Sequence, residues 1–193
     1  MKKAIIFDLY DTLITIPRKT KPYSYLLSHI NTQTSSSFIV NRIMKEDINS
    51  IIFIRQLSET GILNKSFEEI KFLSLLDEEV ENAVIFPDTH NVLLRLKEKY
   101  RLFLLSNLST PYKYPYYILD LDDYFEKAFF SCECFDKKPN ASFYQKILDY
   151  SCLNKEDLIM IGDNPISDVK GATDFGIDAI LKDKRLEEVT KHL

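Results

Sequence analysis

Glycine is scarce in this chain, at 4 of 193 residues, where average usage near 7 % would give about thirteen. No G-x-G occurs, which excludes the dinucleotide-binding fingerprint. The single G-x-x-x-x-G frame runs from Gly171 to Gly176. Ile177-Asp178 follows it, where a phosphate loop needs Lys and then Ser or Thr. Cysteine is equally sparse. Cys132, Cys134 and Cys152 are an odd number and cannot all pair within one chain, so free thiols in a reducing cytosol are the expectation. The C-x-C of Cys132 and Cys134 has no second Cys or His cluster at zinc spacing. Charge excess is lacking too. With 25 basic and 29 acidic residues the net charge is −4, which gives no electrostatic case for nucleic acid or an anionic membrane. No apolar run approaches the roughly 18–20 residues of a membrane span. Met1-Lys2-Lys3 and AIIFDLYDTL imitate the start of a signal peptide, but an acid enters after four apolar residues and no small-residue cleavage site follows. A cytoplasmic protein is therefore expected.

What is present is apolar surface. At 45 % hydrophobic and 12 % aromatic the chain can bury a core, and its length suits one domain or a core with a modest insert. AIIFDL (4–9), RLFLLSN (101–107) and DLIMIGD (157–163) are β-prone runs that stop on polar residues; GIDAIL (176–181) and KAFFSC (127–132) are further candidate strands. Helix patterns lie between them. Asp88 can cap a helix with Val92, Leu93, Leu96 and Tyr100 on one face, and Asn140 one carrying Phe143, Ile147 and Leu148. Asn164-Pro165 reads as N-cap and first-turn proline, with Ile166 and Val169 on the buried side. Alternating strands and helices imply an α/β fold, with a Rossmann-like parallel sheet core and helices on both faces.

Residues 17–85 break the alternation. Tyr23, Leu26, Leu27 and Ile30 are helically spaced, as are Phe67, Ile70, Leu73, Leu76 and Val80. Phe38 to Ser58 reads as one helix ended by the turn at Gly61, and no strand is evident. Pro17 and Pro87 bracket the segment. The expected division is a core of 1–16 and 86–193 and an all-helical subdomain of 17–85.

Open parallel sheets bind ligands beyond the carboxyl ends of their strands. The polar residues expected there are Asp8, Tyr10, Asp11 and Thr12 after the first strand, and Ser106 and Asn107 after the next. Lys138-Pro139 follows the strand at 127–132, and Asp163, Asn164 and Asp168 follow the later strand. Several carboxylates in one crevice repel and raise one another's pKa. A divalent cation with oxygen ligands, together with a lysine, relieves that, and Mg²⁺ suits a site of few carboxylates, waters and a phosphate oxygen. Each residue alone has an ordinary structural explanation. Together, at successive strand ends, they point to a catalytic crevice.

In four motifs, FDLYDTL (7–13), LLSN (104–107), KKP (137–139) and IGDNPISD (161–168), the chain resembles a haloacid dehalogenase (HAD) superfamily hydrolase with a C1-type helical cap inserted after the first strand. The stretch FPDTHNVLLRLKEKYRLFLLSN (86–107) is similar to that family's return from cap to core. The resemblance implies that Asp8 is the nucleophile. It implies that Asp8, the Tyr10 carbonyl and Asp163 hold Mg²⁺. By the same resemblance Thr12, Ser106 and the Asn107 backbone N–H would bind the transferring group, Lys138 would neutralise charge, and Asp168, with Asn164, would support the site from behind.

One position departs from the pattern. Family phosphatases usually carry an acid–base Asp two residues after the nucleophile, and here it is Tyr10; Asp11, one residue on, is not assumed to substitute, since a one-residue shift in a strand-like segment reverses the side chain. A tyrosine there resembles the 2-haloacid dehalogenase branch, which works without metal and lacks the carboxylate kept here as Asp163. The implied function is a Mg²⁺-dependent phosphatase on a small phosphorylated metabolite. The alternatives are a metal-independent 2-haloacid dehalogenase, for which Arg42 and Arg55 are the candidate cap cations although their helix patterns read first as solvated faces, and a weakly active or inactive binding protein. The tract Tyr112–Tyr117 reads first as aromatic packing and second as a ring-stacking mouth. His29, His90 and His192 are scattered and carry no assignment.

Overall fold

The computed structural model describes residues 2–193. Five strands form a parallel sheet: β1 (Ala4–Phe7), β4 (Arg101–Ser106), β5 (Lys127–Phe130), β6 (Leu158–Gly162) and β7 (Asp178–Leu181), in the order β5-β4-β1-β6-β7. Two further strands, β2 (Ile14–Thr15) and β3 (Val84–Ile85), pair antiparallel. The sheet runs have the expected extents, trimmed by one or two residues at their polar ends.

Side chains alternate across the sheet as the pleat requires. Ile5, Phe7, Leu102, Leu104, Ile159 and Ile161 face one layer, with Val92, Leu93 and Leu96 of a helix at Thr89–Lys97. Ala4, Ile6, Phe103, Leu105 and Met160 face the other, with Phe143, Tyr144 and Ile147 of a helix at Ala141–Ser151. Both faces are therefore covered, which is why the central strands are uninterrupted apolar runs. Truncating Phe103, fully buried in β4, to alanine would cost about 3–5 kcal/mol.

Four helices occupy the segment between the β2 and β3 strands: α1 (Pro22–Ser28), α2 (Ser36–Lys45), α3 (Ser50–Glu59) and α4 (Glu69–Glu81). They bury a cluster of their own, including Leu26, Ile39, Ile43, Ile54, Leu57, Phe72 and Leu76. The Phe38–Ser58 helix expected from periodicity is two helices. The chain extends at Glu46 and restarts at Asn49, whose side chain accepts from the Ile51 and Ile52 amides. The helix expected from Phe67 onward presents Phe72, Leu76, Glu79 and Val80 inward, while Ile70 is exposed.

Other local expectations are corrected. Asp88 does not cap its own helix; its carboxylate accepts from the Glu187 amide at 2.9 Å. Asn140 stands at the N-cap, but its side chain donates to Asp136 at 2.7 Å. Asn164 does cap, accepting from the Ile166 and Ser167 amides. The turn that follows, Pro165–Lys170, is widened, with the Val169 amide reaching back to the Asn164 carbonyl. This changes which side chain faces inward: Asp168 is buried, and Ile166 is 67 % exposed. Gly176 ends the last helix of that segment at φ 95°, a backbone state open to glycine.

Candidate active site

β1, β4 and β6 are neighbours, so their carboxyl ends deliver Asp8, Ser106-Asn107 and Asp163 to one crevice. Carboxylate oxygens of Asp8, Asp163 and Asp168 all lie within 4.8 Å of one another. Lys138 enters the same point from the segment after β5. Its ammonium is 2.7 Å from Asp8 Oδ1 and 2.7 Å from Asp168 Oδ1, with its side chain 1 % exposed. Asn107 fixes the lysine's backbone in both directions: its amide donates to the Lys138 carbonyl at 2.8 Å, and its carbonyl oxygen accepts from the Lys138 amide at 2.8 Å. Behind Asp168, the Asn164 amide donates to Oδ2 at 3.0 Å.

The electrostatics follow from three acids and one cation in little water. Burial pushes the Asp8 carboxyl up to about 6; Lys138 opposes this and Asp168 adds to it. Asp163 is raised, first by burial and then by Asp168 and Asp11. Burial disfavours the Lys138 ammonium, but Asp8 and Asp168 together outweigh that and hold its pKa above the ordinary value. The cluster is short of positive charge. An all-oxygen donor set of this kind fits a hard divalent cation such as Mg²⁺. Thr12 supplies a second sign that the site expects a ligand. Its Oγ1 is the one buried side-chain polar atom without a hydrogen-bond partner among the described residues. Ser106, at the end of β4, is buried as well.

A family model for haloacid dehalogenase-like hydrolases matches residues 5–182. The chain belongs to that family. Among similar proteins, a glyceraldehyde 3-phosphate phosphatase of Methanothermobacter thermautotrophicus is 32 % identical over 108 residues, 55 % of this chain and 48 % of that protein. A pyrimidine 5'-nucleotidase of Streptococcus pneumoniae is 40 % identical over 58 residues, 30 % of this chain and 24 % of that one. The matched stretch thus spans about half or less of these curated relatives. A HAD family enzyme of Bacteroides thetaiotaomicron, solved with magnesium and inorganic phosphate, is 21 % identical, with coverage of 94 % of each chain and a TM-score of 0.70. No helix of this HAD hydrolase, among the described residues, is long and apolar enough to cross a membrane.

Of the residues anticipated from the sequence of this HAD hydrolase, Asp8, Asn107, Lys138, Asp163, Asn164 and Asp168 are joined by these contacts, Thr12 and Ser106 are buried at the ends of their strands' motifs, and the Tyr10 side chain is elsewhere. That phenol turns away and donates to the Tyr112 carbonyl at 3.0 Å, with its ring edge-on to Tyr112 at 5.7 Å. Burial, and secondly Glu79, drive its pKa far above the ordinary phenol value. Asp11 has φ 57°, a left-handed state; its carboxylate accepts from Thr15 at 2.9 Å and stands 3.5 Å from Lys19.

Beside the crevice lies a cavity of about 310 Å³ whose wall includes Tyr10, Asp11 and Asn107 from the core and Lys19, Tyr23 and Glu79 from the helical segment. Tyr112 is part of that wall, whereas Tyr116 of the same tract is buried packing. The tract is thus divided between the two readings. Arg42 is engaged with Glu46 and Gln56, and neither it nor Arg55 lines the cavity. Sequence reasoning missed Glu79. It accepts from the Lys21 amide at 2.6 Å, the Thr20 hydroxyl at 3.1 Å and Tyr112 at 2.7 Å. A carboxylate within the apolar face of α4 was the signal available.

Proposed function

We propose that the chain is a Mg²⁺-dependent phosphohydrolase that uses Asp8 as nucleophile, with residues 17–85 as its cap, acting on a small phosphorylated molecule. The observation that carries the reading is the cluster of Asp8, Asp163 and Asp168 with the buried Lys138 bridging Asp8 and Asp168, in a chain whose Thr12 hydroxyl, four residues after Asp8, is buried without a partner. Asp8 and Asp163, with the Tyr10 carbonyl, would hold Mg²⁺. When bound, the ion supplies positive charge against the phosphoryl oxygens and the carboxylates.

The chain's own residues do the rest. An Asp8 carboxylate oxygen attacks phosphorus as the bond to the ester oxygen breaks and the alcohol departs, and water then cleaves the aspartyl phosphate to inorganic phosphate and free Asp8. Thr12, Ser106 and the Asn107 backbone N–H donate to the phosphoryl oxygens, where charge concentrates in transfer. Lys138 stays protonated between Asp8 and Asp168, so Asp8 reacts as a carboxylate. Asp168 keeps the ammonium in place.

The 2-haloacid dehalogenase reading has Tyr10 in its favour. Against it, Asp163 within 4.8 Å of the Asp8 carboxylate would repel a haloacid's own carboxylate, and no arginine of the helical segment lines the cavity. The binding-protein reading has no support from a site with an intact nucleophile and lysine. A screen of phosphate monoesters and 2-haloacids with and without Mg²⁺, beside Asp8→Asn, tests the proposal. Mg²⁺-dependent phosphate release that Asp8→Asn abolishes is the expected result; halide release without metal would overturn it.

A further inference from the structure

Resting on the phosphatase reading, the cavity identifies what leaves with the phosphate. Its wall carries three tyrosine rings. Tyr10 and Tyr112 meet edge-on at 5.7 Å, and Tyr23 and Tyr112 lie at 6.1 Å and 33°. Ile16, Met44 and Leu108 complete the apolar part. About 310 Å³ is at the small end of organic-ligand sites, roughly 300–1,000 Å³. Flat rings fit such walls through edge and face contacts.

The same wall offers no acid suited to a leaving oxygen. Each tyrosine has one hydroxyl hydrogen. That of Tyr10 goes to the Tyr112 carbonyl and that of Tyr112 to Glu79. The Tyr23 and Ser109 hydroxyls pair at 2.8 Å, which uses one of their two protons; the other is the proton of a phenol or an alcohol, a weak acid at neutral pH. Glu79 accepts from the Lys21 amide and from Tyr112, and the single Thr20 hydroxyl proton lies between Glu79 and the Leu75 carbonyl. Asp11 accepts from Thr15 and faces Lys19, whose exposed ammonium is the one cation of the wall among the described residues. Acid catalysis at a leaving oxygen needs a donor within hydrogen-bond reach. Here the carboxylates of the wall are held as acceptors, and the one uncommitted proton belongs to a hydroxyl too weakly acidic to serve that role at neutral pH.

We propose that the site acts on aryl phosphates, holding the ring among Tyr10, Tyr23 and Tyr112 and expelling its oxygen without protonating it. An Asp8 oxygen bonds to phosphorus; the bond from phosphorus to the ring oxygen breaks, and its electron pair departs on the aryloxide, which takes a proton from solvent. Water then attacks the phosphorus of phosphorylated Asp8, loses a proton to solvent, and displaces the restored carboxylate. Only an acidic ring hydroxyl leaves readily in this way.

The test is kcat/KM of the wild-type protein with Mg²⁺ on phenyl phosphates of graded phenol acidity and on an alkyl phosphate of similar size. The expected series is steep, with the alkyl ester slower than the aryl esters by roughly 10²–10⁴, the factor a proton donor ordinarily supplies. Tyr10→Asp should narrow that gap at least tenfold by raising the alkyl ester. Phenylphosphonate should inhibit the wild type at least about tenfold better than methylphosphonate. An alkyl ester within tenfold of the aryl esters overturns the inference and leaves the phosphatase reading standing; no turnover of any monoester overturns both.

Discussion

A β-carbon placed on Gly162 would stand 2.6 Å from the Cβ of Asp168. The glycine is therefore the reason Asp168 can fold against the end of β6 and hold Lys138. Gly162→Ala should push Asp168 out of that position. The expected outcome is a loss of stability of about 1–3 kcal/mol, as for other overpacked sites, with a fall in kcat larger than the change in KM. A urea titration and a steady-state assay on the same preparation check it. Unchanged kcat would show that Asp168 need not be held there.

Lys138 is the sole cation contacting Asp8 and Asp168 among the described residues. Lys138→Ala leaves both carboxylates buried and uncompensated, which costs about 3–5 kcal/mol when one partner of a buried pair is removed. Denaturant unfolding of variant and wild type measures the difference. A variant as stable as wild type would show that water already reaches the pair.

Asp163 has no ion-pair partner among the described residues, and its carboxyl is raised by burial and by Asp168 and Asp11. Mg²⁺ binding should relieve that. At a free concentration near one hundred times Kd the ion should stabilise the fold by about 2.7 kcal/mol. Thermal unfolding with and without Mg²⁺ reads the shift, and Asp163→Asn should shrink it sharply. Equal shifts in both proteins would place the ion elsewhere.

Asp47, between α2 and α3, clasps the core: its carboxylate is 3.1 Å from Lys113 and accepts from Thr110 at 2.9 Å. Burial pushes its pKa up, but the hydrogen bonds from Lys113 and Thr110 outweigh this and hold it below the ordinary value. A carboxyl lowered in the folded state stabilises above its unfolded pKa of about 3.9, and the effect is lost as pH falls through the lower folded value. Asp47→Asn should therefore melt below wild type at pH 7, and the gap should close below about pH 4. A gap independent of pH would rule out the charged clasp.

The sheet was legible because strands buried on both faces must be continuous apolar runs, and AIIF, RLFLLS and LIMIG are such runs. The motif residues were legible because parallel-strand ends converge. The β2–β3 pairing was not: two residues a side leave no period to read, and Ile14 and its partner Ile85 are 71 positions apart. The break at Glu46–Asn49 was hidden because the residues there, Glu46-Asp47-Ile48-Asn49, contain neither Gly nor Pro. Asp168 became the buried residue of its turn through a widened helical geometry that the 3.6-residue period does not describe. The cavity chemistry of Tyr10, Tyr112 and Glu79 depends on pairings across 33 to 102 residues, which a single sequence does not record.

The central claim is that Asp8 carries the transferred group. Acid-quenching the wild-type protein during turnover of an aryl phosphate with Mg²⁺, followed by peptide mass spectrometry, tests it directly. The account predicts one phosphoryl group on the peptide containing Asp8, absent from Asp8→Asn, which should also lose turnover by at least roughly 10³-fold. Sustained hydrolysis by Asp8→Asn, or phosphate carried on any other residue, would contradict it.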